Sequence, residues 1–207
     1  LGTACVRFDY SGHGASGGAF TDGTISRWLE EALAVIDHAA NVLDSRRLVL
    51  VGSSMGGWIA LRAVAALAAR KDIEVAGLVL IAPAPDFTSE LIEPNLTEAE
   101  RTALAERGRF EEPTPYGPEP NIYTLKLIED GRQNRVLDGV IETGCPVHIL
   151  QGMADPDVPY AHAVRLMEHL SGDDVVLTMI RDGDHRLSRP QDIAKILEAA
   201  EAFARGQ

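Results

Sequence analysis

Five short apolar runs, separated by segments of helical period, set the architecture available to this chain: Thr3 to Asp9, Leu48 to Gly52, Val75 to Ala82, Pro146 to Gln151 and Val175 to Ile180. Each is rich in β-branched residues and nearly continuous, the pattern of strands buried on both faces. Between them, apolar residues recur at helical spacing: Trp28, Leu29, Leu33, Ile36 and Leu43, then Ile59, Leu61, Val64 and Leu67. Val164, Leu166, Met167 and Leu170 follow Pro159, and Ile193, Ile196, Leu197 and Phe203 mark the tail. Strand alternating with helix implies right-handed crossovers and a mostly parallel sheet with helices on both faces. The expectation is one α/β domain over residues 1–207, long enough to bury a full core without disulfides or metal.

The stretch 84–139 breaks this rhythm. It holds six of the eleven prolines, with short helices expected around Glu98 to Glu106 and Ile122 to Ile128. Between these lies the breaker-rich Pro113-Thr114-Pro115-Tyr116-Gly117-Pro118. A connection this long inside a compact α/β domain reads as a helical lid or substrate-binding insert. Phe87, Phe110, Tyr116 and Tyr123 give it an apolar contact surface.

Charge and hydropathy remove whole classes of function. With 19 Lys+Arg against 31 Asp+Glu, the net charge is −12. That argues against nucleic-acid partners, whose affinity comes mostly from cations neutralising phosphates. No apolar run reaches the roughly 18–20 residues of a transmembrane helix, so no membrane span is expected. The two cysteines, Cys5 and Cys145, sit beside strand-like runs and are expected as buried thiols in a reducing compartment. A bacterial-type cytoplasm is the expected location, or the mitochondrion if the chain is eukaryotic.

The residues that carry chemistry are Leu48-Val49-Leu50-Val51-Gly52-Ser53-Ser54-Met55-Gly56-Gly57-Trp58. They read as strand, Gly-x-Ser-x-Gly and helix, the nucleophile elbow. A serine on a tight strand-to-helix turn is held in strained backbone geometry that projects its hydroxyl. Side chains two residues before and after it would collide with the neighbouring strand and helix, so Gly52 and Gly56 are expected to be required. Ser53 lacks that pair of glycines; Ser54 has it. The helix behind points N–H groups at the site, and that of Met55 becomes an oxyanion donor.

A serine hydroxyl needs a base, itself oriented by an acid. In this class they follow in the order Ser, acid, His. Gln151-Gly152-Met153-Ala154-Asp155-Pro156-Asp157 is a strand end followed by acids, and Asp182-Gly183-Asp184-His185 follows the last strand. Both are carboxyl ends of parallel strands, where α/β sites gather. Asp155 is assigned as the acid and His185 as the base, with Asp157 as the alternative acid, two residues further from the strand end. His38, His162 and His169 are expected to be solvated on amphipathic helices, and His148 to be half-buried in a strand. His13 lies on a sheet-end loop and is read first as an ordinary loop residue, with approach to a ligand as the lesser alternative. No metal-ligand spacing, P-loop or dinucleotide fingerprint is present, and no metal or cofactor is expected. Gly12, Gly14, Gly17 and Gly18 precede no immediate helix, so they do not read as a phosphate loop.

These residues resemble α/β-hydrolase-fold serine hydrolases. More closely, the chain is similar to the mitochondrial palmitoyl-protein thioesterase and mycophenolic acid acyl-glucuronide esterase family and its bacterial relatives. Ala4-Cys5-Val6-Arg7-Phe8-Asp9-Tyr10-Ser11-Gly12, the elbow string, Gly152-Met153-Ala154-Asp155 with Val158-Pro159, and Asp184-His185-Arg186 carry the similarity. It implies hydrolysis of acyl thioesters or activated esters, on a small molecule or an S-acylated protein, by Ser54, His185 and Asp155. The family pattern begins with further strands and draws a second oxyanion donor from a loop after the third. The chain opens at Leu1 just before the fourth, so it is expected to be an N-terminally truncated record that folds poorly and turns over weakly alone. Two alternatives remain open: a general small-acyl carboxylesterase, and a non-catalytic hydrolase-fold module that binds a ligand or partner.

Overall fold

In the computed structural model, residues 4–115, 117–172 and 174–206 are described; Thr3 of the first apolar run and Tyr116 of the insert lie outside them. The chain divides into two compact units. One comprises Leu1–Val6, Leu33–Pro85 and Val136–Gln207, the other Arg7–Ala32 and Asp86–Arg135. Helix α1 (Ile25–Leu43) contributes residues to both.

The first unit is a parallel sheet with helices. Its strands are β1 (Arg47–Ser53), β2 (Glu74–Ile81), β5 (Val147–Gly152) and β6 (Val175–Ile180), in spatial order β1-β2-β5-β6. Because side chains alternate across a strand, the sheet builds two cores. Leu78 and Leu80 of β2 and Val147 and Ile149 of β5 pack with α2 (Met55–Leu67) and α5 (Tyr160–His169). Val79 and Leu150 pack instead with Ala199, Ile196 and Phe203 of α6 (Pro190–Arg205). A third cluster joins Leu33, Ile36 and Ala40 of α1 to Leu67, Ile73 and Leu48. In register, Ser53 lies opposite Ile81, Ile81 opposite Leu150, and Gly152 opposite Ile180. The carboxyl ends of all four strands therefore form one rim.

Two expectations about the strands are corrected. Residues 4–10 form no strand; an extended segment needs a ladder partner to become one, and none of the described residues pairs with it. Cys5 is accordingly exposed, and only Cys145 is half-buried. Nor are the outer strands buried on both faces: Val51 of β1 is 53% exposed and Val176 of β6 46%. Full burial is confined to the central pair, which helices cover on either side.

The second unit has its own core of Ala103, Leu104, Phe110 and Ile128. Helix α3 (Glu98–Arg107) starts at a capping box between Thr97 and Glu100 and ends at Gly108, whose φ of 69° suits a left-handed cap. The expected helix Ile122 to Ile128 is corrected. Asn121–Thr124 forms strand β4, antiparallel to β3 (Arg109–Glu112), with Phe110 stacked on Tyr123 at 5.1 Å. The helix, α4 (Leu125–Gln133), starts later because Thr124 caps it, its hydroxyl accepting from the Leu127 N–H. Buried Trp28 anchors a ring cluster with Tyr10, His13 and Phe20 and donates from its indole nitrogen to the Ser11 carbonyl. His13, for which ligand approach is only the lesser alternative, packs its ring 5.1 Å from those of both Phe20 and Trp28. Burial, then the Glu31 charge, pushes the Tyr10 phenol up to about 12.

Candidate active site

Ser54 connects β1 to α2 with φ 52° and ψ −120°, a conformation an L residue adopts only when its surroundings impose it. Those surroundings are explicit. The Ser54 N–H donates to the Ile81 carbonyl at 2.9 Å, and the Ala84 N–H donates to the Ser54 carbonyl at 3.1 Å. The next turn of chain after β2 thus grips the elbow from both sides. A serine at a helix N-cap ordinarily turns its hydroxyl onto the helix; that of Ser54 makes no such bond. It is left free for another partner.

The two elbow glycines differ in kind. A Cβ on Gly52 would lie 2.6 Å from the Gly56 carbonyl carbon and 2.8 Å from the Gly57 nitrogen, so strand and helix could not approach. A Cβ on Gly56 would meet none of the described atoms within 4 Å. The steric requirement expected of both is therefore corrected at position 56, whose missing side chain would point into open space. Gly57 is the tight one in the helix, 2.8 Å from the Pro83 side chain by the same measure.

Ser54 Oγ lies 3.0 Å from His185 Nε2, and His185 Nδ1 lies 2.8 Å from Asp155 Oδ2. With its proton on Nδ1 the imidazole donates to Asp155 and accepts the hydroxyl proton of Ser54. The structure thus brings together the three residues expected from sequence, from the ends of β1, β5 and β6. Asp155 is the acid whose carboxylate bonds the ring at 2.8 Å; Asp157, the alternative, brings its carboxylate within 4.8 Å of it, and its N–H, with that of Val158, donates to Asp155 Oδ1, each at 2.9 Å. Burial raises the Asp155 pKa, but the bond from His185 and these two N–H groups outweigh it, leaving the carboxyl below its ordinary value. Burial likewise pulls His185 down. The hydrogen bond to Asp155 and the charges of Asp155, Asp157 and Asp184 overcome this, and the imidazole ends above its ordinary value.

The turns behind these residues are laced together. The Ala154 N–H donates to the Gly183 carbonyl and the Met153 N–H to the Ile180 carbonyl, so the acid turn and the His185 loop are mutually fixed. The buried Asp192 carboxylate holds Arg189 through two bonds, of 2.6 and 3.0 Å, at the end of that loop. Asp155, Asp157 and His185 also bring potential ligand atoms within 4.8 Å of one another. The Asp155 oxygens, however, already accept from two backbone N–H groups, the imidazole and the Gln151 amide.

Sequence reasoning missed two side chains here. His162, expected on a solvated face, is buried, and its Nε2 donates to the Pro85 carbonyl at 2.8 Å, steadying the chain that grips the elbow. Its place beside Ala163 in the apolar stripe of α5 was the available signal. Gln151 is wholly buried; an amide within an apolar strand was the corresponding signal. His148 is half-buried and bonded to Thr178 Oγ1, as its mid-strand place suggests.

Residues 1–196 match a family model described as the alpha/beta hydrolase family. Over 195 residues the chain is 30% identical to the human mitochondrial palmitoyl-protein thioesterase ABHD10, covering 93% of this chain and 60% of that protein. It therefore spans about 60% of the length of the curated relatives it matches. Among solved structures, a putative hydrolase from Agrobacterium vitis S4 is 68% identical with a TM-score of 0.91, covering 95% of this chain and 75% of that one. Est1E from Butyrivibrio proteoclasticus, solved with ferulic acid, is 26% identical with a TM-score of 0.71, covering 96% and 75%. No helix among the described residues is long and apolar enough to cross a membrane.

Proposed function

The chain belongs to the alpha/beta hydrolase family, and from that premise we propose that it hydrolyses acyl thioesters or activated esters through an acyl-enzyme formed on Ser54. The supporting observation is the unbroken relay from Ser54 Oγ through His185 to Asp155, at 3.0 and 2.8 Å, on a strained elbow. His185 Nε2 takes the hydroxyl proton as Oγ attacks the acyl carbonyl, and Asp155 stabilises the imidazolium that results. The oxyanion is held by the Met55 N–H at the start of α2, one of the helix donors without an intrahelical partner. The imidazolium then protonates the leaving thiol or alcohol. Water, deprotonated by the same ring, attacks the acyl-enzyme and releases the acid.

The likeness to a palmitoyl-protein thioesterase supports an S-acylated protein, or a small ester with a good leaving group, as substrate. A second reading, a carboxylesterase of small acyl groups, is favoured by the likeness to Est1E with ferulic acid. Activity profiled against acyl length on p-nitrophenyl esters and S-acyl peptides separates the two. Catalysis itself is tested with a fluorophosphonate probe. Labelling is expected on the native chain and absent from Ser54→Ala; a folded native chain that takes no label would make the protein a binding module. A cytoplasmic location, or a mitochondrial one for a eukaryotic chain, belongs to this proposal and is read by cell fractionation.

A further inference from the structure

We infer that Gln151 is a positioning residue that sets the orientation and basicity of the Asp155 carboxylate; the inference rests on the triad reading above. Gln151 lies one residue before the end of β5 with its side chain fully buried. Its Nε2 is 3.1 Å from three acceptors at once: the Gly152 carbonyl, the Val158 carbonyl and Asp155 Oδ2. Its Oε1 is buried without a hydrogen-bond partner among the described residues. The amide orientation is therefore not interchangeable, since reversing it would turn Oε1 against three acceptors.

A buried acceptor without a donor is a standing cost, and an aliphatic side chain of similar size would fill the same space without it. What the amide secures in return is the acid turn. It ties the strand end at Gly152 to Val158 across the turn, with the carboxylate held between them. Asp155 Oδ2 is the same oxygen that accepts from His185 Nδ1. It is thus shared by two donors, while Oδ1 is committed to the backbone N–H groups of Asp157 and Val158. Sharing withdraws electron density from the oxygen that faces the imidazole and fixes the plane in which it meets the ring.

The consequence is counterintuitive. Removing the amide leaves Oδ2 more basic and its bond to the imidazolium stronger, while the carboxylate is held less well in place. The charged groups acting on the imidazole, Asp155 and Asp157 from the acid turn and Asp184 from its own loop, are otherwise unchanged. In Gln151→Leu, kcat falls about tenfold or more from misplacement, KM stays within about twofold because Gln151 is walled off from solvent, and the acid limb of kcat/KM moves to higher pH. A role confined to packing would lower activity or stability at every pH without moving that limb.

Gln151→Leu and Gln151→Met are compared with the native chain in hydrolysis of one activated ester across pH, with cooperative thermal unfolding as the check on folding. A folded variant with the native acid limb and native kcat overturns the inference, as does a limb displaced to lower pH. Loss of cooperative unfolding in both variants also overturns it, by assigning Gln151 to the core. Ser54→Ala run alongside separates the two readings. Near-native turnover there defeats the triad itself, whereas its collapse together with an unmoved limb in the Gln151 variants defeats only the role of the amide.

Discussion

At the scale of single residues, the site is a chain of protonation states, and its pH behaviour follows from them. In the proposed mechanism His185 acts as a base only when neutral, and its acidic neighbours leave its pKa above the ordinary imidazole value. Activity should therefore fall with decreasing pH along a limb above pH ~6.5. Asp155→Asn removes a raising charge and favours the wrong imidazole tautomer, so the limb moves to lower pH while kcat drops by about 10⁴; an unmoved limb in steady-state profiles would contradict the assignment. The two elbow glycines give a second contrast. Gly52→Ala drives a methyl into the Gly56–Gly57 backbone and is expected to abolish probe labelling, whereas Gly56→Ala, facing open space, retains it. Equal behaviour of the two would show that the elbow relaxes. Ser54, Asp155 and His185 were legible because the elbow is a local pattern and the other two stand at strand ends in a fixed order. Gln151 and His162 were not, because a buried polar side chain is explained only by partners that sequence does not reveal: Val158 and Pro85 here.

Elements form where the chain supplies a partner as well as a propensity. Val175–Ile180 and Glu98–Arg107 follow their sequence patterns closely, since apolar continuity and a capping box are encoded locally. The segment from Ala4 to Tyr10 is apolar enough for a strand but finds no ladder partner among the described residues, and Asn121–Thr124 turned out to be a strand only because Arg109–Glu112 lies beside it. The same dependence governs the joint between β5 and the His185 loop. A Cβ on Gly152 would sit 2.6 Å from the Asp184 carbonyl oxygen, and one on Gly183 would sit 2.6 Å from Leu187 Cδ2. Gly152→Ala should therefore destabilise the chain by about 1–3 kcal/mol, the usual range for overpacking. It should also slow labelling of Ser54, because the displaced loop carries His185. Native melting and native labelling together would show that the two turns are not held against each other.

Over the whole molecule, a charge of −12 sets the approach of substrate. Anionic esters should show a KM that falls as salt is added, while neutral esters of the same acyl group change little. Salt-independent kinetics for both would mean that the field at the site is locally neutralised. The parallel sheet makes assembly itself non-local: the hydroxyl of Ser54 and the imidazole of His185 meet across 131 residues of sequence, and His185 meets Asp155 across 30. Pairings of that span form late, since chain closure must be completed before they are rewarded. Reactivity toward an active-site probe is thus a timekeeper for refolding: it should lag the return of helical signal, and the interval between them measures how long the sheet takes to find its final order.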